Sequence, residues 1–129
     1  VYTTLETEIQ DDSLLSKALF HPSRSFVYKK NNNSVELFDH EILHFKITEL
    51  FARKIKKRIS NLNSPSKEDI RKIINHLQIE ENKFQKKYDY DTFHSYVFSE
   101  QKKYEKYVDS SLNSLAKYSN PKIPINEIN

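Results

Sequence analysis

The chain has no glycine and no cysteine among its 129 residues. Tight hairpins, phosphate-binding loops and nucleophile elbows use glycine for a positive backbone φ. Its absence therefore argues against a β-sandwich, a P-loop enzyme, a dinucleotide-binding domain and an α/β-hydrolase. Without cysteine there is no disulfide framework, thiolate zinc site or cysteine nucleophile, which favours an intracellular protein. No apolar run approaches the ~20 residues that a membrane-spanning helix needs.

The residues that are present favour one folded domain. The apolar share is 36% and the charged share 30%, and eight Phe and eight Tyr supply bulk for a single hydrophobic core. The clearest helix signal is Ile70, Ile73, Ile74 and Leu77, which recur at i, i+3, i+4 and i+7. Ser64 is the predicted N-cap of this helix.

Apolar spacing predicts further helices along the chain, and alternating strand patterns bounded by turn residues are not recognised. The sequence therefore predicts an all-α protein, a compact multi-helix bundle over residues 1–118, followed by a C-terminal linker or tail over residues 119–129 that contains two prolines. The expected segments are one or two short helices in Thr3–Phe20, one long or two bent helices in Val35–Leu62, a weaker helix in Gln78–Tyr90 and a last long helix capped by Asp91 or Thr92.

Three stretches in the order of a known family carry a resemblance. The first has a Phe followed by an aliphatic residue, then a polar loop and a helix with aromatics seven positions apart. The second has a loop before a helix start, and the third has a helical segment followed by Asp-Ser. They are Phe26-Val27 with Phe38 and Phe45-Lys46, then Asn61 to Ser64 with Lys67 to Ile70, then Phe98 to Lys103 with Asp109-Ser110. In this order they resemble a regulator-of-G-protein-signalling (RGS) domain, over about residues 3 to 118.

The resemblance implies a helical module that docks an activated Gα subunit or a related signalling partner, with no cofactor and no catalytic residue of its own. Its implied contact loops meet at one end of the bundle. Val35 stands where the family has a contact Asn, and its side chain can neither donate nor accept a hydrogen bond, so the GTPase-activating ability is expected to be weak or absent. The partner-binding residues expected from the resemblance are Asn33, Ser34, Val35, Asn61, Leu62, Asn63, Asp109 and Ser110.

A basic cluster gives an alternative role. Its five cations are expected to form either a solvated helix face or a patch that meets acidic lipid headgroups. The resemblance supplies the setting for the second interpretation: a divergent family member that serves as a scaffold domain in a fungal, membrane-anchored polarity or bud-site-selection protein. In that case the domain lies at the cytoplasmic face of a membrane, through other parts of a longer protein. A nucleic-acid partner is not expected, because interleaved exposed aromatics are missing. The cations are Arg53, Lys54, Lys56, Lys57 and Arg58.

A second alternative is a zinc metallopeptidase, because His40-Glu41-Ile42-Leu43-His44 is an H-E-x-x-H motif. On a helix this spacing places two imidazoles on one face, with the glutamate able to activate a water. The flanks are unusual for that class, since Asp39 precedes the motif and Lys46 follows it. Without a motif for a third ligand, the candidates are Glu68, His76, Glu80 and Glu81.

The preferred interpretation of this motif is structural. It places His40 and His44 on the solvated side of the helix, with Phe38, Ile42 and Phe45 facing the core. No metal ligand is therefore predicted, and the expected function is docking rather than catalysis.

Overall fold

The computed structural model describes residues 3–21, 35–93 and 96–126, with the backbone alone at residues 35–37. Within these ranges a β-hairpin precedes three α-helices, a short 3-10 helix and a third strand. The elements are β1 (Thr3–Gln10), β2 (Ser13–Phe20), α1 (Val35–Ser60), α2 (Lys67–Thr92), α3 (Phe98–Ser114), the 3-10 helix (Ala116–Tyr118) and β3 (Lys122–Pro124).

The prediction of an all-α bundle is wrong, because the segment predicted as short helices forms a β-hairpin. Strands β1 and β2 pair antiparallel, with Gln10 opposite Ser13 across a two-residue turn, and β3 pairs antiparallel with β2 to complete the sheet β1-β2-β3. In this turn Asp11 has a positive φ of 56°. Aspartate tolerates this left-handed backbone better than most residues, so the hairpin forms without glycine.

The strand alternation is hidden by two polar residues on the inner face. Leu5 and Ile9 pack against the core from β1, and Leu14 is fully buried on β2. Thr7 and Ser16 form a pair on the same face, and the Ser16 hydroxyl donates to the Ala52 carbonyl at 3.1 Å. Because the inner face is not uniformly apolar, its period of two is weak in the sequence.

Helix α1 lies at the centre of the fold, in contact with both strands of the hairpin and with α2 and α3. It runs unbroken for 26 residues, which confirms the single-helix alternative. The predicted core face of its first half is wrong: Phe38 is 55% exposed and Ile42 is 37% exposed, whereas His40 is buried. The core is built instead from the stripe Leu43, Ile47, Leu50, Phe51, Ile55 and Ile59.

Helix α2 begins two residues later than predicted. Its N-cap is Ser66, whose hydroxyl accepts from the Asp69 amide at 3.0 Å while the Asp69 carboxylate accepts from the Ser66 amide at 3.2 Å. This capping box satisfies two of the unpaired donors at the helix start. The helix then continues to Thr92, through the segment predicted as a separate helix, and ends where Phe93 adopts a left-handed conformation.

The segment after α3 packs back onto the rest of the protein. Strand β3 places Ile123 opposite Leu14 of β2, and the amide of the buried Ile125 donates to the Asp12 carbonyl at 2.7 Å. Residues 122–125, within the predicted linker, therefore belong to the sheet and the core.

Candidate metal centre

Three side chains that can ligate a metal lie together, two from successive turns of α1 and one from α2. His40 and His44 are four positions apart and so lie on the same face of α1. Asp89 approaches them from α2, with its Oδ1 2.9 Å from His40 Nε2 and 2.8 Å from His44 Nε2. One ligand atom from each residue lies within 4.8 Å of the other two. The described part of the chain thus contains a two-histidine, one-carboxylate cluster.

The second nitrogen of each ring faces a glutamine amide oxygen. His40 Nδ1 lies 2.9 Å from Gln101 Oε1, and His44 Nδ1 lies 2.5 Å from Gln85 Oε1. An amide oxygen only accepts hydrogen bonds, so each Nδ1 carries a proton. In a neutral ring the lone pair is then on Nε2, the atom that faces Asp89. This is the tautomer that a metal ligated through Nε2 requires.

Aromatic packing holds the cluster from the side. The Tyr88 ring stacks on the His40 ring, with centroids 4.4 Å apart and an interplanar angle of 17°. The Tyr88 hydroxyl lies 2.9 Å from the His40 carbonyl oxygen and 2.9 Å from Gln101 Oε1, both of which are acceptors. Burial raises the pKa of Tyr88, so its hydroxyl stays a donor at neutral pH.

The charges in the cluster are coupled. Burial disfavours the imidazolium of His44, but the hydrogen bonds to Asp89 and Gln85 outweigh it and raise the pKa of His44. Burial likewise disfavours the Asp89 carboxylate, yet its contacts with His44 and His40 lower the pKa of Asp89 to about 2. Without a metal, a proton on His44 Nε2 links that ring to the carboxylate. A divalent cation would take the place of that proton.

The donor set suits zinc. Neutral imidazole nitrogen and carboxylate oxygen are common zinc ligands, with bonds of about 2.0–2.2 Å. In a tetrahedral site the ligand atoms are then about 3.4 Å apart, so Asp89 needs to withdraw from each histidine by about 0.5 Å. Asp89 is partly exposed, with 32% of its side chain accessible, and it is the ligand that can make this adjustment. The donor types, and their approach to within 4.8 Å of one another, therefore suit a zinc ion.

Glu41 lies beside the cluster. Its Oε1 is 3.9 Å from His44 Nε2, and 19% of its side chain is accessible. Glu41 follows His40 directly on the same helix and lies next to His44. A carboxylate in this position can accept a proton from a water beside the three ligands.

Asp89 is the candidate ligand that sequence reasoning missed. Of the predicted third ligands, Glu68 and His76 are exposed, Glu80 pairs with Lys83, and the Glu81 carboxylate accepts from Thr48 and Gln85. The sequence signal was the pair Gln85 and Asp89, which share a face if α2 is one continuous helix. The sequence predicts both residues within one helix over Gln78–Tyr90, but it does not indicate that this helix packs against His40 and His44.

The predicted docking residues do not form one surface. Val35 begins α1 and Asn61 follows its last residue, so the helix separates them by about 39 Å. Asp109 of α3 contacts the middle of α1, where its Oδ1 lies 3.1 Å from Lys46 Nζ. Ser110 is exposed next to it, and Leu62 and Asn63 lie in the loop with Asn61. Asn33 and Ser34 are outside the described residues.

The predicted lipid patch is largely engaged within the protein. Arg53 donates to Glu49 Oε2 at 2.9 Å and to a carbonyl of α3. Lys56 is buried, where desolvation lowers its pKa, and its Nζ donates to the Asn120 carbonyl at 2.9 Å. Lys54 lies over the Phe51 ring, and the last two cations of the series are exposed. The series is Arg53, Lys54, Lys56, Lys57 and Arg58.

No family model, curated protein or solved structure matches the chain. In the described ranges, none of the helices has the length and apolar character to cross a membrane. The geometry around Asp89 is therefore the basis for assigning a function.

Proposed function

We propose that this chain is a zinc-dependent hydrolase of the metallopeptidase type, with His40, His44 and Asp89 as ligands and Glu41 as general base. The observation that carries the proposal is the convergence of two Nε2 atoms, one helical turn apart, on one oxygen of Asp89. Each ring donates its other N–H to an amide, which leaves Nε2 for the metal.

The reaction supported by this arrangement is hydrolysis of an amide bond. Zinc at the three ligands would supply a polarised carbonyl and a water of lowered pKa. Glu41 accepts a proton from the water as its oxygen bonds to the carbonyl carbon, and returns the proton to the nitrogen as the C–N bond breaks. His40, His44 and Asp89 hold the centre in place, and the glutamines keep both rings oriented.

Two other metal roles use the same ligands. A two-histidine, one-carboxylate set also binds Fe(II) in oxygenases, and a closed zinc site can be purely structural. Glu41 favours hydrolysis over both, because neither role needs a second carboxylate next to the ligand atoms. The docking of a Gα subunit, and of an acidic membrane, stays a prediction that comes from the sequence alone.

Metal analysis tests the centre. We expect the purified chain to bind one zinc per molecule, and His44→Ala to abolish binding. His76→Ala is the matched control, because His76 is an exposed histidine on α2, and it should bind zinc like the wild type. Titration with Fe(II) under anaerobic conditions compares the two metals. A wild-type chain that binds neither would contradict the proposal.

Activity separates hydrolysis from a structural site. The zinc-loaded chain is incubated with unfolded casein and with a mixture of peptides, and new amino termini are counted. We expect cleavage that stops with a chelator and falls by at least about 100-fold in Glu41→Gln, which removes the base and leaves the ligands in place. Zinc bound without cleavage of any substrate would leave a structural metal site.

A further inference from the structure

We propose that Gln85 and Gln101 are positioning residues of the metal centre, which fix the tautomer and orientation of its two histidines. The inference rests on the proposed function, since it concerns the same ligands. Each glutamine accepts the Nδ1 proton of one ring, and so directs the lone pair of Nε2 toward the metal.

The orientation of the Gln101 amide is fixed by its neighbours. Its Nε2 donates to Glu105 Oε2 at 3.1 Å, and its Oε1 lies 2.9 Å from the Tyr88 hydroxyl. Rotating the amide by 180° would place an oxygen against the Glu105 carboxylate and an N–H against the His40 ring. The oxygen therefore faces His40, and the side chain is 97% buried, away from competing water.

The orientation of the Gln85 amide is likewise fixed, by three acceptors around its nitrogen. Its Nε2 lies 3.0 Å from the His44 carbonyl oxygen, 3.1 Å from Thr48 Oγ1 and 2.8 Å from Glu81 Oε2. Only the N–H₂ end of the amide can satisfy the carbonyl and the carboxylate. The oxygen is left facing His44 Nδ1, so both histidines are held by the same device, one from α2 and one from α3.

Neutral amides at these positions also set the charge of the site. A carboxylate that accepts the Nδ1 proton makes the imidazole a more basic ligand. With glutamines, Asp89 is the one anion among the three ligands, and a bound divalent zinc keeps a net positive charge. This charge favours ionisation of a water at the metal.

The first test measures zinc affinity in variants that remove one amide. Gln101→Met and Gln85→Met keep the side-chain length without an oxygen, and we expect a 10- to 100-fold weaker zinc Kd for each. Gln78→Met is the matched control, because Gln78 is a partly buried glutamine of α2 that does not belong to the cluster. Wild-type affinity in both Gln101→Met and Gln85→Met would overturn the inference.

A second variant keeps the test decisive if a single substitution unfolds the chain. Gln101→Glu combined with Glu105→Gln exchanges the two groups and retains the hydrogen bond between them, so that a carboxylate now accepts from His40 Nδ1. We expect zinc binding above neutral pH at least as tight as in the wild type, with the midpoint of its pH dependence shifted to higher pH, because the more basic imidazole holds its proton more strongly. Binding weaker than in Gln101→Met would contradict a positioning role.

Nitrogen chemical shifts report the protonation and metal binding of each ring nitrogen directly. They would not change if the glutamines only stabilised the fold. In the zinc-loaded chain labelled with ¹⁵N-histidine, both ligand rings should show a protonated Nδ1 and a metal-bound Nε2. A metal-bound Nδ1 in either ring would overturn the inference even if the affinities changed as expected. If the wild-type chain binds no zinc at all, the proposed function fails, and the amide contacts are structural.

Discussion

The Tyr88 ring lies flat against the His40 ring, 4.4 Å between centroids, although the two residues come from different helices. Tyr88 is fully buried, and its hydroxyl contacts the backbone carbonyl of His40. The ring and the hydroxyl therefore make separable contributions, one to packing and one to hydrogen bonding.

We expect Tyr88→Phe to lower the free energy of unfolding by about 1–2 kcal/mol, because it leaves buried acceptors without their donor. Tyr88→Ala should cost about 3–5 kcal/mol, because it also leaves a cavity beside His40. Urea denaturation in the presence of a chelator measures both values. A loss in Tyr88→Phe as large as in Tyr88→Ala would mean that the ring does not pack as described.

Zinc should stabilise the fold in proportion to its affinity. At a free zinc concentration 100 times its Kd, the gain is about 2.7 kcal/mol, because the unfolded chain does not hold the three ligands together. Thermal unfolding with and without zinc measures it as a rise in Tm. Asp89→Asn should reduce the rise by removing the anionic ligand, whereas Asp109→Asn, an exposed aspartate of α3, should leave it unchanged.

The pH dependence of the metal-free chain follows from His44 and Asp89. The raised pKa of His44 gives stability that is complete below about pH 6.5 and is lost as the pH rises through the folded-state value. The lowered pKa of Asp89 gives stability that is present above about pH 4 and is lost as the pH falls toward 2. We expect these two groups to favour the fold most between those limits.

Urea midpoints from pH 3 to 9 in a chelator test this window, with His44→Gln as the variant in which the loss above pH 6.5 should disappear. Added zinc should reverse that loss, because the metal binds more tightly as the histidines give up their protons. A midpoint that does not vary with pH between 6 and 9 would show that His44 and Asp89 are not coupled.

The buried face of α1 can be tested by two substitutions of similar size. Leu43 is 1% exposed and Phe38 is 55% exposed. Leu43→Ala should therefore cost about 2–5 kcal/mol of unfolding free energy, whereas Phe38→Ala should change it by less than about 0.5 kcal/mol. A larger loss of unfolding free energy in Phe38→Ala than in Leu43→Ala would mean that Phe38 faces the core, as the sequence predicts.

The hairpin turn depends on the left-handed backbone of Asp11. A β-branched residue is poorly tolerated at this φ, so Asp11→Val should destabilise the chain by about 1–2 kcal/mol. Asp11→Gly should be neutral or stabilising, because glycine adopts this conformation without a steric cost. Chemical denaturation of the two variants measures the difference, with Asp12→Val as a control in the same turn.

The long helices were predictable because their apolar stripes are regular. The spacing of Ile70, Ile73, Ile74 and Leu77 gave α2 its correct type, and its start was missed by two residues because Ser66 competes with Ser64 as the cap. The hairpin was not predictable by the same means. Its inner face includes Thr7 and Ser16, and the absence of glycine argues against tight turns, which Asp11 nevertheless permits here.

The site was hidden by an assumption about burial. The sequence predicts both histidines on the solvated side of the helix, because Phe38 and Ile42 offer an apolar alternative for the core. In the structure the histidines are partly or fully buried, because Gln85, Gln101 and Asp89 satisfy their nitrogens. The H-E-x-x-H motif was visible in the sequence, but its partners come from α2 and α3, and a single sequence does not say which helices are neighbours.

The last strand has a consequence for the growing chain. Leu14 of β2 is paired with Ile123 of β3, from which it is separated by most of the sequence. Until residues 122–124 have been made and have folded back, one side of β2 therefore has unpaired peptide groups beside Leu14. A stalled or shortened chain presents that side to a second copy, so aggregation through strand pairing is expected to begin there.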